Sequence, residues 1–178
     1  MGNMYRFYER GGGYYFITIN TFERQPILTT PHIRQSFKQA IATTKLKFPF
    51  DIHALVLLPD HLHMVLSTED DLLSKRLGYL KMLTTKYAGV TQSEMMTKNY
   101  RRDRRGALWQ PRFWEETIRT ESQLHKQIMY CYVNPVHHGY VKKVGDWPYS
   151  TFHKDVSRGL LPPEWAGISV DLKPKQHR

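Results

Sequence analysis

The chain of 178 residues carries 26 lysines and arginines against 16 aspartates and glutamates, a formal net charge of +10. This length is typical of one domain with its own core, and the single cysteine, Cys131, excludes an internal disulfide and a zinc site built on cysteines. No apolar run reaches the roughly 18 residues of a membrane span, and the N-terminal segment lacks the apolar stretch of a signal peptide, so we expect a cytoplasmic protein. The charge favours a polyanionic partner, nucleic acid before membrane, with a basic surface kept for solubility as the alternative.

The first half of the chain predicts a strand, a helix and a pair of strands. Residues 14–22 are dense in aromatic and β-branched types and predict a strand. Apolar residues at helical spacing over 30–47 predict a helix. Pro59 interrupts the next apolar run, and a proline cannot donate to a central ladder. Two antiparallel strands joined by a tight turn are therefore expected at 52–58 and 61–67.

The second half predicts a helix, a short strand and a last helix. A leucine stripe over 70–90 predicts a helix, and 113–120 is predicted to be a fourth strand. The segment that begins near Thr120 or Ser122 predicts a helix that ends near Pro135.

This order of elements indicates an α+β fold, in which an antiparallel β-sheet is covered by helices on one face. We expect a single domain over 1–178. Its core is expected at about 10–145, and an irregular C-terminal tail over 146–178 is expected to lie against that core.

His61 and His63 lie two residues apart in an apolar run that is rich in strand formers. On a strand, residues i and i+2 point to the same face, so both imidazoles are expected side by side. Imidazole is the commonest metal ligand in proteins, and a buried histidine that makes ordinary hydrogen bonds is the alternative. A metal site would need a further ligand from elsewhere in the chain.

The last predicted helix places its two tyrosines on different sides. Leu124, Ile128 and Tyr132 fall at i, i+4 and i+8, an apolar stripe that is expected to face the sheet. Tyr130 and Asn134 lie one turn apart on another stripe. Tyr132 is therefore predicted to be core and Tyr130 to lie beside a polar amide. An interfacial tyrosine with an ordinary hydrogen-bond partner is the alternative for Tyr130.

Two imidazoles and an amide oxygen would leave a divalent cation with open coordination positions, and this mixed ligand set admits Mg²⁺ or Mn²⁺. Such a cation can polarise a phosphate oxygen and stabilise charge in an in-line displacement. A tyrosine hydroxyl beside the cation could then act as the nucleophile.

Three stretches of the sequence carry a family resemblance: HLH behind LLPD, LWQPRFWEETIR, and YCYVNPVHHGYVKKVGDWPYSTFH. Together they resemble the REP-associated tyrosine transposases, a branch of the single-tyrosine HUH transposases that act on single-stranded DNA. The resemblance extends from the glycine-led first strand to Trp165. It implies a ferredoxin-like, RRM-like HUH domain that uses a divalent metal, Mg²⁺ or Mn²⁺.

The resemblance also implies a role for each residue of the predicted site. The two HUH histidines of that family bind the metal, and they correspond to His61 and His63. The nucleophilic tyrosine lies on a later helix, four residues before a third, amide-bearing ligand, which corresponds to Tyr130 and Asn134. Tyr130 would attack a phosphodiester and form a 5′-phosphotyrosine, so that DNA is cleaved and rejoined at repetitive extragenic palindromes without ATP. The implied partner is single-stranded DNA with palindromic hairpins, bound by a monomer or homodimer that needs no membrane.

Further residues are candidates for binding DNA. A basic stretch interleaves arginines, which can contact phosphates and guanine edges, with aromatic residues that can stack on unpaired bases; a solvated loop is the alternative. Glycines near the N-terminus could let the backbone approach a nucleotide, and a flexible basic leader is the alternative. The family's Gly-Thr-Trp-Phe signature, associated with reading the tetranucleotide beside the hairpin, corresponds to 13–16 and departs at the two tyrosines. The candidates are Arg10, Gly12, Gly13, Tyr14, Tyr15, Arg101, Arg102, Arg104, Arg105 and Arg112.

Two other classes of protein stay open on the sequence. A domesticated relative could bind hairpin DNA and regulate with little or no cleavage, although binding alone needs neither the histidine pair nor Tyr130. A metal-dependent phosphohydrolase would use water and would not need Tyr130 either. A two-histidine phosphoesterase would need a second His-x-Ser or His-x-Thr motif, and no such repeat occurs.

Overall fold

A computed structural model describes residues 11–90 and 108–167 of the chain. Within these ranges four strands form one sheet in the order β2-β3-β1-β4, and each neighbouring pair is antiparallel. The strands are β1 (Gly13–Asn20), β2 (Asp51–Leu57), β3 (His61–Thr68) and β4 (Trp114–Ile118). The predicted strands and their antiparallel arrangement are confirmed.

Over the same two ranges, four α-helices accompany the sheet: α1 (Pro31–Lys47), α2 (Leu73–Tyr87), α3 (Glu121–His137) and α4 (Phe152–Ser157). Thr30 precedes α1 in extended backbone, and Pro31 occupies the first turn, where its missing N–H costs no helical hydrogen bond. The side chain of Thr120 caps α3 by accepting a hydrogen bond from the Gln123 backbone amide. α3 ends at His137, close to the predicted end near Pro135, which lies within the last turn and removes only one hydrogen bond there.

Helices cover both faces of the sheet, whereas the sequence predicted one face. One core, shared with α1 and α2, contains the strand residues Ile17, Ile19, Leu62, Met64 and Leu66. The other core, shared with α3 and the C-terminal segment, contains the strand residues Tyr14, Phe16, Ala54, Val56, Val65 and Ile118. The reason is that β1 and β3 carry apolar residues at consecutive positions, so both of their faces are buried. The α+β class itself is confirmed.

A tight turn between β2 and β3 fixes the start of the strand that carries the two histidines. Leu58 donates its backbone amide to the His61 carbonyl at 2.9 Å and closes the turn around Pro59. Pro59 lies outside the ladder, so its missing N–H breaks no strand pairing. β3 therefore starts with His61, opposite Asn20 at the end of β1.

The C-terminal segment lies on the α3 side of the sheet. Trp147 donates its indole Nε1 to the Leu57 carbonyl at 2.9 Å, and Phe152 and Trp165 contact Tyr132 of α3 edge-on. The division into one domain with a tail over 146–178 stays a prediction. Within the two described ranges, no helix combines the length and the apolarity that crossing a membrane requires.

Candidate active site

The two histidines of β3 lie side by side on the sheet face that contacts α3. Their ring centroids are 4.9 Å apart, and the rings are nearly perpendicular at 83°. His61 is 4% exposed and His63 is 6% exposed. The strand alternation thus brings both imidazoles together, and the fold buries them.

Each histidine ring is held through its Nδ1 atom. Thr18 of β1 is the direct cross-strand partner of His63, and its Oγ1 lies 2.9 Å from His63 Nδ1. His61 Nδ1 donates to Asp60 Oδ1 at 2.7 Å. Metal-binding histidines commonly direct one ring nitrogen to an oxygen partner and bind the metal with the other. Nε2 is therefore the nitrogen of each ring that would bind a cation.

α3 brings Tyr130 and Asn134 to the same site. The ring centroid of Tyr130 lies 5.4 Å from that of His63 and 5.6 Å from that of Phe16. Phe16 also stacks on His63 at 5.3 Å, so it supports both rings. Asn134 follows one helical turn after Tyr130 and is 1% exposed, and its side chain acts on the pKa of the Tyr130 hydroxyl.

The two tyrosines of α3 occupy the different surroundings that the helical projection predicts. Tyr132 is fully buried, and its hydroxyl donates to a carboxylate oxygen of Asp155 in α4. Tyr130 is half-buried and lies against His63. Tyr132 is therefore core, and Tyr130 is the tyrosine that reaches the histidine pair.

The residues present suit a divalent cation. Asn134 Oδ1 is buried and accepts no hydrogen bond, which is costly for an amide oxygen unless another partner satisfies it. A cation would supply that partner, and two imidazoles with an amide oxygen form a ligand set compatible with Mg²⁺ or Mn²⁺. Over 11–90 and 108–167, no group of three or more His, Cys, Asp or Glu side chains could hold a metal ion.

Burial dominates the electrostatics of the site. Burial raises the pKa of the Tyr130 hydroxyl, and the hydrogen bond from the Asn134 amide partly offsets this rise. Burial also lowers the pKa of His61, against the opposing effect of its hydrogen bond with Asp60. The fold therefore favours a protonated phenol and a neutral imidazole, which is the form of histidine that binds metals.

Three neighbours of the site are absent from the residues that the sequence predicted. Arg24 pairs with Asp60 at 2.8 Å from Nε to Oδ2, and donates Nη1 to Asn20 Oδ1 at 2.6 Å. The ring of His138 lies 5.1 Å from that of His61. Asp60 directly precedes His61, and His138 follows Asn134 by one helical turn, so both have a local signal. Arg24 reaches the site through tertiary structure.

The glycines and tyrosines predicted to bind DNA already make packing contacts within the protein. A Cβ on Gly12 would lie 2.1 Å from the Thr68 carbonyl oxygen, so contact with the chain's own backbone already requires this glycine. Gly13 begins β1 opposite Thr68. Tyr14 and Tyr15 point to opposite faces of the sheet, the first into the core at α3 and the second against the core at α1 and α2. A single stacking surface cannot include both tyrosines.

Arg112 is exposed two residues before β4, at the sheet end where Trp114 pairs with Thr18. It is thus a cation at the same end of the sheet as His63. The other arginines predicted to bind DNA lie outside the described residues: Arg10, Arg101, Arg102, Arg104 and Arg105. The DNA-binding roles of all these residues stay predictions.

Comparison with known proteins agrees with the fold. The family model described as "Transposase IS200 like" matches residues 11–134, which extend from the start of the sheet to Asn134. A REP-associated tyrosine transposase of Escherichia coli (strain K12) is 42% identical over 171 residues, which cover 94% of this chain and 93% of that relative. A solved structure of a REP-associated tyrosine transposase bound to a REP hairpin is 39% identical, with a TM-score of 0.76 over 92% of this chain and 90% of that chain. The chain therefore belongs to the IS200-like transposase family and, within it, to the REP-associated tyrosine transposases.

Proposed function

We propose that this protein is a metal-dependent transposase or strand transferase that cleaves and rejoins single-stranded DNA at repetitive extragenic palindromes. The observation that carries the proposal is that the buried rings of His61 and His63 lie against Tyr130, and that the unsatisfied Oδ1 of Asn134 follows that tyrosine by one helical turn. A histidine pair with a purely structural role would require neither an adjacent tyrosine nor a buried amide oxygen without a partner.

Tyr130 is the proposed nucleophile. Its hydroxyl oxygen forms a bond to phosphorus while the bond between phosphorus and the 3′ oxygen breaks, which leaves a 5′-phosphotyrosine and a 3′-hydroxyl. The proton lost by the phenol is balanced by the proton gained at the 3′ oxygen. One phosphodiester replaces another, so a second 3′-hydroxyl can reverse the step and join strands without ATP.

His61, His63 and Asn134 would hold the cation, through Nε2 of each imidazole and Oδ1 of the amide. A bound divalent cation would polarise the phosphate and stabilise the charge that develops during the displacement. Phe16 contacts both His63 and Tyr130 and so fixes the ring of the nucleophile relative to the metal ligands. A raised phenol pKa means that Tyr130 needs help to ionise.

The proposed partner is hairpin DNA with single-stranded flanks. The solved relative is bound to a REP hairpin, and the net charge of +10 favours association with a polyanion. We place the reaction in the cytoplasm and expect a monomer or a homodimer.

The test is a denaturing-gel assay of end-labelled single-stranded oligonucleotides that contain palindromic repeats, with Mg²⁺, Mn²⁺ or EDTA. We expect cleavage with either cation, and none with EDTA or with Tyr130→Phe. Cleavage that persists in Tyr130→Phe would identify a nuclease that uses water. Tight binding without cleavage of any substrate would instead favour a domesticated hairpin-binding protein.

A further inference from the structure

A row of aromatic rings extends from the histidine pair, past the protein surface, to a buried tryptophan. The ring of His138 lies 5.1 Å from that of His61. Tyr140 stacks on His138 with centroids 5.7 Å apart and an interplanar angle of 23°, and Trp147 stacks on Tyr140 at 5.4 Å and 25°. We call these four residues, His61, His138, Tyr140 and Trp147, the ring row.

The ring row is anchored at both ends and exposed in its middle. His61 and Trp147 are buried, and Trp147 is tied to the Leu57 carbonyl through its indole Nε1. His138 is exposed, and Tyr140 is 44% exposed, one of four large apolar side chains in the described residues that are so open. Rigid, exposed rings next to a site that acts on a nucleic acid are suited to stacking on bases.

A cation lies beside the exposed rings. The side chain of Arg24 is 46% exposed and is held by Asp60 and Asn20. Its Nη2 lies 3.4 Å from His61 Nδ1, which places the guanidinium against the first ring of the ring row. Arg24 and its neighbour Glu23 both have positive φ angles, of 57° and 51°. Such strain in non-glycine residues is concentrated at functional sites.

We propose that the parts of the His138 and Tyr140 rings that their offset stacking leaves open form a subsite for one unpaired base of the DNA strand that is cleaved. This inference rests on the proposed function, because it places the base on the same strand as the phosphate that Tyr130 attacks. His138 contacts the metal-ligand candidate His61, so a base on this subsite belongs to a nucleotide close to the scissile phosphate. Arg24 then lies where it can contact the phosphate of that nucleotide.

An unpaired base fits these rings better than a base pair does. Stacking requires the face of a base, which a duplex hides between its neighbours, whereas a single strand offers it freely. Stacking tolerates any base, so the subsite would hold the strand in place and leave sequence recognition to other residues.

The test compares affinities for two probes, a hairpin oligonucleotide with single-stranded arms on both sides and the same hairpin without arms. Fluorescence anisotropy is measured in the Tyr130→Phe background, so that cleavage does not consume the probe. Tyr140→Ala should weaken binding of the armed hairpin about 5- to 150-fold, the range measured for loss of one base–aromatic stack. Tyr140→Phe should retain the affinity. The armless hairpin should bind all of these proteins equally well.

Two controls separate stacking from general damage. Tyr79→Ala removes a half-buried tyrosine of α2 on the opposite side of the sheet and should leave both affinities unchanged. Tyr140→Leu keeps apolar volume over Trp147 without a ring, and should bind the armed hairpin as weakly as Tyr140→Ala. A 2-aminopurine base moved along the arms should be quenched at one position by the parent protein and not by Tyr140→Leu.

Equal affinity of Tyr140→Ala, Tyr140→Leu and the parent for the armed hairpin would overturn the subsite and leave the proposed function standing. Equal weakening on armed and armless hairpins would also overturn it, because the loss would not depend on unpaired bases. A parent protein that binds neither hairpin would overturn the proposed function, and the subsite with it.

Discussion

Thr18 and His63 face each other across β1 and β3, and the Thr18 hydroxyl lies 2.9 Å from His63 Nδ1. The two residues are far apart in the sequence, yet the register of the sheet fixes this contact. Thr18 is 7% exposed, so little water competes with it for the imidazole. The hydroxyl therefore orients the ring that would bind the cation through Nε2.

Replacing Thr18 by valine should weaken cation binding and leave the fold intact. Valine keeps the volume and the β-branched shape but removes the hydroxyl, and loss of such an outer partner typically lowers metal affinity about 10- to 100-fold. Isothermal titration with Mn²⁺ measures the change. Thr18→Ser, which keeps the hydroxyl, should bind nearly as well as wild type. Equal Mn²⁺ affinity of Thr18→Val and wild type would show that this contact does not orient a ligand.

Replacing Asn134 should separate stability from cation binding. Asn134→Leu removes a buried oxygen without a partner, so in EDTA its free energy of unfolding should equal or exceed that of wild type, by up to about 1 kcal/mol. Mn²⁺ at about 100 times its Kd should stabilise wild type by about 2.7 kcal/mol and leave Asn134→Leu unchanged. Chemical denaturation with and without Mn²⁺ measures both effects.

Asn134→Asp is the matched control, since a carboxylate oxygen can also bind the cation. It should keep the stabilisation by Mn²⁺ that Asn134→Leu loses. If Mn²⁺ stabilised Asn134→Leu as strongly as wild type, Asn134 could not be a ligand.

Gly12 should be necessary for stable folding, independently of any role in DNA binding. A methyl group there would lie 2.1 Å from the Thr68 carbonyl oxygen and 2.7 Å from backbone atoms of Glu69. We expect Gly12→Ala to lose about 2 kcal/mol or more of unfolding free energy. Gly78→Ala in α2 meets no atom within 4 Å and should gain about 1 kcal/mol, because alanine favours a helix. Urea denaturation measures both, and an unaffected Gly12→Ala protein would contradict the close contact.

His53 should make stability fall on acidification. Burial lowers the pKa of His53 below its ordinary value of 6.5, and its Nε2 lies 2.8 Å from Ser67 Oγ. At this position the unfolded chain binds a proton more readily than the folded chain. The contribution of neutral His53 to the free energy of unfolding is therefore present above pH 6.5, and it is lost as the pH falls through 6.5 towards the lowered pKa of the folded state. Free energies of unfolding at about pH 7.5 and about pH 5.5 measure the loss. His53→Gln should lose less than wild type, and an equal loss would assign the acid sensitivity to other groups.

Local periodicity was sufficient to place two residue pairs, His61 with His63 and Tyr130 with Asn134, whereas the family resemblance implied that the two pairs form one site. The alternation of a strand places His61 and His63 on one face, and the helical repeat separates Tyr130 from Tyr132. Both rules act within one element, so they need no knowledge of the tertiary fold. The β2–β3 turn was also predictable, because Pro59 cannot belong to a central ladder.

The remainder of the site depends on contacts between distant segments. Thr18 reaches His63 through strand register, and Arg24 reaches Asp60 through a left-handed backbone that is uncommon for arginine. His138 continues the helical stripe of Tyr130 and Asn134, and it meets His61 because α3 packs against β3. The second helical layer likewise depends on contacts between distant segments. Consecutive apolar residues indicate that both faces of a strand are buried, but they do not show which element covers each face.

The central claim is that Tyr130 becomes covalently linked to DNA, and the most direct measurement is to locate that link. A tryptic peptide of the adduct, residues 127–142, contains three tyrosines at 130, 132 and 140, so fragmentation by tandem mass spectrometry can distinguish them. We predict a 5′-phosphonucleotide on Tyr130, its absence in Tyr130→Phe, and an unchanged adduct in Tyr132→Phe, which removes only the core hydroxyl that donates to Asp155. A nucleotide on Tyr132 or Tyr140, or cleaved DNA without any linked peptide, would contradict the account.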